Sequence, residues 1–343
     1  MSNPSTATGP DTGLSIGLLG AGRIGTVHAV AIASTPNARL VAVADAFADA
    51  ASSLAGMYDA RVATIDEIMS DADIGAVFIT TPTDMHADLI EQAARAGKAI
   101  FCEKPIDLSV QRVRDCLTVV EATGAHLMVG FNRRFDPNFT AVRAQIDAGA
   151  IGEVEMVTIT SRDPGPPPIE YMARSGGLFR DMTIHDFDMA RFLLGEEPVS
   201  VHAVGSVLVD PAIAAIADVD SAAITLVTAS GKIAQISNSR RATYGYDQRI
   251  EVHGSLGMVR AENIYESTVE FAGAHGYTKA PLMNFFLERY MLAYSAEVAA
   301  FVSAVATGTA AAPDGEAGLR ALILAEAAVR SNAERRVVDV SEI

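Results

Sequence analysis

Leu14-Ser15-Ile16-Gly17-Leu18-Leu19-Gly20-Ala21-Gly22-Arg23-Ile24-Gly25 decides the fold. Leu14–Leu19 is a short apolar run ending at glycine, and it reads as a buried strand. It runs into G-x-G-x-x-G and then into a helical pattern over Thr26–Ser34. Gly20 permits the tight turn, Gly22 lets the backbone approach a pyrophosphate, and Gly25 lets helix and strand pack closely. The helix N-terminus then faces the anion, with Arg23 and Ile24 inside the same turn.

Outward from this turn, a second strand, Leu40–Ala44, ends in Asp45, twenty residues beyond Gly25. An acidic side chain there accepts hydrogen bonds from the adenosine ribose and repels a 2′-phosphate. Asp45-Ala46-Phe47 offers no arginine to such a phosphate, so NAD is expected rather than NADP. Short strands at Arg61–Thr64, Gly75–Thr80, Ala99–Cys102 and His126–Gly130 alternate with helical patterns at Asp66–Ser70, Asp84–Ala96 and about Ser109–Ala122. Such alternation implies a parallel, right-handed, doubly wound sheet, a Rossmann domain over 14–131.

Beyond residue 131 the pattern changes. A helix is expected over Asp136–Gly149, then strands at Val154–Ser161, Val199–Val209, Ala222–Ala229, Lys232–Ser239, Arg249–His253, Met258–Ala261 and Thr268–Phe271. Helices at Met182–Leu194, Asn284–Ala306 and Gly315–Asn332 would cover one side of a largely antiparallel sheet. The expectation is α/β overall: a tail over 1–13, a cofactor domain over 14–131, and an α+β domain over 132–343. The open face of the second sheet is a natural place for self-association.

Composition narrows the function. With 26 Lys+Arg against 42 Asp+Glu, the formal charge is −16, which disfavours a nucleic-acid partner. Residues 1–13 are polar and rich in Pro and Gly, unlike a signal peptide, and no stretch is apolar enough for a membrane span. Two cysteines, Cys102 and Cys116, make no disulfide framework, so a reducing cytoplasm is expected. No metal site is expected.

Two elements carry chemistry. Lys104 follows the apolar strand Ala99–Cys102, where a charge must be paired or have its pKa lowered. Glu103 is the simplest partner. The second element is Gly176-Gly177-Leu178-Phe179-Arg180-Asp181-Met182-Thr183-Ile184-His185. Asp181 falls at the expected N-cap of a helix, where it could simply satisfy free N–H groups. His185, four residues later, shares its helix face. A histidine can take a proton from an alcohol, with the carboxylate orienting it, or it can be a satisfied core residue.

GLLGAGRIGTVHA (17–29), CEKPIDL (102–108), GFNRRFDP (130–137), SRDPGPPP (161–168), GGLFRDMTIHDFDMARF (176–192) and TYGYDQR (243–249) resemble the Gfo/Idh/MocA oxidoreductase family over nearly the whole chain. The FNRRFDP, SRDP and GYDQR segments resemble its inositol-oxidising branch. The resemblance implies NAD-dependent oxidation of myo-inositol to the 2-keto product, with scyllo-inositol, chiro-inositol or an aldose as alternative substrates, and a homotetramer. It places Lys104, Asp181 and His185 on the family's catalytic triad. His185 is then the base, Lys104 the donor to the substrate oxygen, and Asp181 the holder of ring hydroxyls and of the histidine. Glu103 and Pro105, through a cis Lys104-Pro105 bond, would fix Lys104 beside the cofactor. Arg134, Asp163 and Tyr244 resemble substrate-pocket positions, though Arg134 could equally form an interdomain salt bridge. Thr81, Pro82 and His86 resemble cofactor contacts, though His86 could equally be an ordinary helix residue.

Overall fold

The apolar run Leu14–Leu19 is strand β1, and the glycine turn leads it into helix α1 (Arg23–Ser34). The computed structural model describes residues 13–343, so residues 1–12 of the expected tail lie outside the described residues. β2 (Ala38–Ala44), α2 (Ala48–Met57), β3 (Arg61–Val62), α3 (Ile65–Ser70), β4 (Ala76–Ile79), α4 (His86–Arg95), β5 (Ala99–Glu103), α5 (Val110–Thr123) and β6 (Leu127–Gly130) follow in alternation. All six strands are parallel, in the order β3-β2-β1-β4-β5-β6. The order reverses between β1 and β4, and sheets of this kind bind ligands at the carboxyl ends flanking the reversal. α4 starts at His86, two residues later than expected, because Thr83–Met85 form a 3-10 turn after Pro82.

Next, α6 (Pro137–Asp147) opens on Asp136, whose carboxylate accepts the N–H groups of Asn138 and Phe139 at 3.0 and 3.2 Å. β7 (Val154–Arg162), α7 (Ile169–Met172), α8 (Gly177–Asp181), α9 (Thr183–Leu194), β8 (Pro198–Ser206), β9 (Ser221–Thr228), β10 (Ile233–Ser239), β11 (Asp247–Gly254) and β12 (Gly257–Ala261) come after it. A hairpin, β13 (Glu270–Gly273) with β14 (Gly276–Lys279), leads to α10 (Phe286–Arg289), α11 (Met291–Thr307), α12 (Gly315–Glu334) and β15 (Val338–Asp339). The second sheet runs β12-β11-β7-β10-β9-β8-β15. Its neighbours are antiparallel except β7 and β10, which are parallel. Burial alternates along β7, β9 and β10, so Val157, Ile159, Ile224, Leu226 and Ile236 face the core while their neighbours are more exposed.

Only part of the expected helical cover holds. α9 packs on β7 and β10, and α12 on β8 and α9, but α11 lies against α1 of the nucleotide half. The expected helix Asn284–Ala306 is broken at Tyr290 (φ −112°, ψ 14°), whose buried ring packs edge-on against Tyr246 at 5.9 Å. The return of α11 builds an aromatic block: Phe78 and Phe101 stack at 4.6 Å, and Phe301 meets them edge-on at 5.2 and 6.0 Å. The backbone of Val129 in β6 donates to the Pro313 carbonyl at 2.9 Å, so the chain's last third also closes that sheet edge. No helix among the described residues is long and apolar enough to cross a membrane.

Candidate active site

At the β1 turn, each glycine answers a different contact. Gly20 has φ +104°, and a Cβ there would lie 2.6 Å from the Thr80 carbonyl oxygen. A Cβ on Gly25 would lie 2.0 Å from the Gly20 oxygen, whereas nothing lies within 4 Å of one on Gly22. The space over Gly22 is therefore open to a ligand. Behind it, α1 has neither a side-chain cap nor an acid in its first turn, so its free N–H groups suit an anion. Arg23 is exposed there and Ile24 half-buried. Asp45 accepts the Ala21 N–H at 2.6 Å on Oδ2 and the Phe47 N–H at 2.8 Å on Oδ1, which fixes it at the end of β2. Each oxygen keeps a lone pair for a ribose hydroxyl. After β4, the Thr81 hydroxyl is buried without a partner and Pro82 lies exposed beside it. The open glycine, the fixed carboxylate and the orphaned hydroxyl fit a dinucleotide.

His86 is a correction. It is 2 % exposed, and its ring nitrogens lie 2.8 Å from the Pro105 and Thr81 carbonyl oxygens. Both ring nitrogens are taken by backbone, so it ties the β4 and β5 loops together and has no ring nitrogen left for a ligand.

The partner of Lys104 is also different from the simplest expectation. Glu103 turns back to His28 of α1, Oε1 to Nε2 at 2.6 Å. The Lys104-Pro105 bond is cis. Lys104 Nζ donates to the Asp181 backbone oxygen at 2.6 Å and to its Oδ1 at 3.3 Å. Two of the three ammonium protons are thus used and one is left.

Asp181 is not an N-cap. It ends the short helix α8, Met182 stands at the cap position of α9, and no side chain caps that helix. Gly176 and Gly177 (φ +88° and +83°) admit the chain to α8, whose Leu178 N–H is held by Asp218 at 2.9 Å. Arg180 anchors its other end on Glu326 of α12. Besides Lys104, the Asp181 carboxylate receives Tyr171 Oη at 3.0 Å and Arg240 Nη2 at 3.4 Å. Burial opposes its ionisation, but Lys104 and Arg240 outweigh that and hold its pKa below the ordinary carboxylate value.

His185 stands half-buried in the first turn of α9, edge-on to Phe131 at 6.2 Å. Its Nδ1 is buried and meets no hydrogen-bond partner, so Asp181 does not orient the ring as expected. Burial, with Lys104 and Arg133 nearby, pushes its pKa well below 6.5. The ring is therefore neutral at physiological pH and has a lone pair for a proton.

Below it lies a network the sequence did not single out. Arg133, 5 % exposed, pairs with the fully buried Asp186 and donates to Ser161 at 3.2 Å. Asn238 donates to Asp186 at 2.8 Å and accepts from Thr183 at 2.7 Å. Burial pushes the Asp163 carboxyl up to about 6, Arg240 and Arg133 lowering it and Asp181 and Asp186 raising it. Asp163 therefore belongs with this cluster. Arg134 does not, because both arms of its guanidinium are taken by Asp188 at 2.7 and 2.6 Å. That is a salt bridge, as the alternative had it, but one within 132–343 and not between the domains. Tyr244 is also elsewhere: half exposed, it donates to Asp247 at 2.6 Å and accepts from Arg162 at 3.1 Å. Asn132–Phe135 form a 3-10 turn, which points adjacent arginines to different faces, so Arg133 and Arg134 could not be told apart by pattern.

Comparison with known proteins gives concordant results. Residues 14–131 match the oxidoreductase family with an NAD-binding Rossmann fold, and 139–260 match the GFO/IDH/MocA C-terminal domain. The chain is 65 % identical to an inositol 2-dehydrogenase of Rhizobium meliloti, over 95 % of this chain and 98 % of that one. A crystal structure of a myo-inositol dehydrogenase from Corynebacterium glutamicum is 44 % identical, with TM-score 0.92 over 95 % of this chain and 98 % of that one. That of a Lactobacillus casei myo-inositol dehydrogenase with NAD(H) and myo-inositol is 26 % identical, with TM-score 0.85 over 95 % and 96 %. With both halves matched, and with a dinucleotide turn that fits NAD, the chain is an NAD-binding oxidoreductase and belongs to the Gfo/Idh/MocA family.

Proposed function

We propose that this enzyme oxidises myo-inositol to 2-keto-myo-inositol, and that Lys104, Asp181 and His185 do the chemistry. The observation that carries the reading is the bonding of Lys104, just after β5, to Asp181 at the end of α8, with the neutral imidazole of His185 in α9 close enough to feel the charge of Lys104. The substrate is supported by the relatives' named activities. Neutral His185 takes the hydroxyl proton, for which burial and two cations have kept a lone pair free. The remaining N–H of Lys104 donates to the same substrate oxygen and stabilises the negative charge that develops as the proton leaves. Asp181, held ionised, accepts from a neighbouring ring hydroxyl, and Asp163 from another. Bound NAD supplies the hydride acceptor at nicotinamide C4.

The same reading assigns 14–131 to cofactor binding and 132–343 to substrate binding and oligomerisation. It extends to a homotetramer built on the outer sheet face, where Met156, Val204 and Met258 are exposed, and to inositol catabolism in the cytoplasm. The test is NADH formation by the purified enzyme with NAD and a panel of inositols and pyranose sugars. The highest specificity constant is expected for myo-inositol, and no turnover on any member refutes the proposal. Sedimentation velocity tests the tetramer.

A further inference from the structure

Two side chains at Asp181 have no part in this chemistry. Arg240 follows β10 and is 1 % exposed, the largest of the fully buried side chains. Among the described residues its Nε has no partner, and its one side-chain hydrogen bond is the 3.4 Å contact with Asp181 Oδ2. A buried guanidinium is tolerable only against negative charge. The carboxylates facing it are Asp181 and Asp163. It cannot withdraw, because its backbone N–H is held by the Asp220 carbonyl at 2.8 Å. The Asp220 carboxylate is itself fixed by the N–H groups of Leu208, Val209 and Asp210.

Tyr171 reaches the same carboxylate from the opposite kind of setting. It is half exposed on α7, a single turn lying between Pro164–Pro168 and the Gly176-Gly177 pair. Its hydroxyl donates to Asp181 Oδ1 at 3.0 Å, the oxygen that Lys104 approaches at 3.3 Å. Asp181 ends a five-residue helix and is followed by the break at Met182, so local backbone alone does not fix its carboxylate. Left to Lys104 alone, the carboxylate would draw the ammonium into a closed ion pair and away from substrate.

We propose that Tyr171 and Arg240 are positioning residues that clamp the Asp181 carboxylate, one on each oxygen, and so leave Lys104 free to donate to the substrate oxygen. The clamp rests on the reading that Asp181 and Lys104 serve a polyol substrate. Arg240 acts by charge and Tyr171 by a directed hydrogen bond. The charged or titratable groups facing Asp181 are Lys104 from β5, Tyr171 from α7, Arg240 after β10, and Asp163 after β7.

The experiment uses Tyr171→Phe, Arg240→Met and Arg240→Lys in the full chain. Loss of one hydrogen bond to an ionised acceptor should raise KM for myo-inositol by roughly tenfold or more in Tyr171→Phe, with a smaller change in kcat. Arg240→Met should do the same, while Arg240→Lys should restore KM. A purely structural role would lower the melting temperature and leave the titration of Asp181 in place. NAD affinity, read by fluorescence titration, should be unchanged in all three. Carboxyl-carbon NMR with labelled aspartate, the Asp181 signal assigned by Asp181→Asn, needs no substrate and should show Asp181 titrating higher in Tyr171→Phe and Arg240→Met. If the wild type turns over nothing on the panel, the polyol reading falls and the NMR titration still judges the clamp. Asp181 titrating as in the wild type in both variants overturns the clamp. Should Arg240→Met fail to fold, the half-exposed Tyr171→Phe decides alone.

Discussion

Replacing Asp163 by Asn should weaken the enzyme and stabilise the protein, and both effects should fade as pH falls. Burial pushes the folded carboxyl up to about 6 from its ordinary 3.8. Above pH 6 the group is ionised in both the folded and unfolded states, and a rise of this size means that folding carries a penalty of at most about 3 kcal/mol. Below pH 3.8 the group is protonated in both states and the penalty vanishes. Asn is neutral throughout. The variant should therefore exceed the wild type by up to about 3 kcal/mol at pH 7, a figure that already contains the attraction of Arg240 and Arg133, and match it near pH 3.8. Urea unfolding at a series of pH values measures this difference directly. Activity should move the other way. If an ionised Asp163 accepts a ring hydroxyl as proposed, wild-type kcat/KM should fall with an acid limb near 6. Burial also pushes His185 well below 6.5, so the ring stays neutral on the plateau. In Asp163→Asn that limb should disappear and the plateau should drop by roughly tenfold, the difference between a charged and a neutral acceptor. A limb near 6 that survives the substitution refutes the assignment, and equal stability at pH 7 refutes the burial argument behind it.

His185→Ala should cut kcat by roughly a hundred- to ten-thousand-fold with NAD binding intact by fluorescence titration, since only the proton acceptor is lost. Lys104→Met should likewise cut kcat and keep NAD affinity, and turnover that survives in both variants sinks the mechanism. Asp45→Ser removes the charge that repels a 2′-phosphate, so kcat/KM for NADP relative to NAD should rise by about tenfold, read from initial rates with each cofactor. Arg133→Met should cost about 3–5 kcal/mol in chemical denaturation because it strands buried Asp186, and it should perturb KM for the polyol. Arg134→Met, whose pair is with Asp188, should leave that KM alone.

What the sequence made legible was whatever is decided within one strand–turn–helix unit. Gly20, Gly22, Gly25 and Asp45 are bound by short-range sterics and by the length of one βαβ crossover, so their spacing predicts their placement. The second sheet was also readable as alternating strands. Its parallel β7–β10 pair was not, because strand direction within a mixed sheet is set by connections that periodicity does not encode. Nor was the packing of α11 on α1: a helix that buries Val298 and Phe301 shows an apolar face but not which surface receives it.

The site was legible only in outline for a related reason. Asp181 and His185, four apart, imply a hydrogen-bonded dyad if one helix runs through both, and the break at Met182 cancels that inference. Once the ring is freed from Asp181, its proton affinity is set by burial and by Lys104 and Arg133, cations from β5 and from the turn after β6. A carboxylate partner would raise the affinity of His185 for a proton, whereas these cations lower it. The base is thereby kept empty before reaction and gives up its proton readily afterwards, which suits an alcohol oxidation that must release one proton per turnover. The opposing charges are divided between two residues that do not touch. Lys104 helps hold Asp181 ionised, and it adds to the burial that keeps His185 neutral, as the proposed binding and proton-transfer roles require. Removing Lys104 should therefore disturb both groups in the same direction, raising the pKa of Asp181 and of His185 together. A combined NMR titration of the carboxyl and imidazole signals in Lys104→Met would show the two shifts as one event, and a shift in only one of them would separate the roles assigned here.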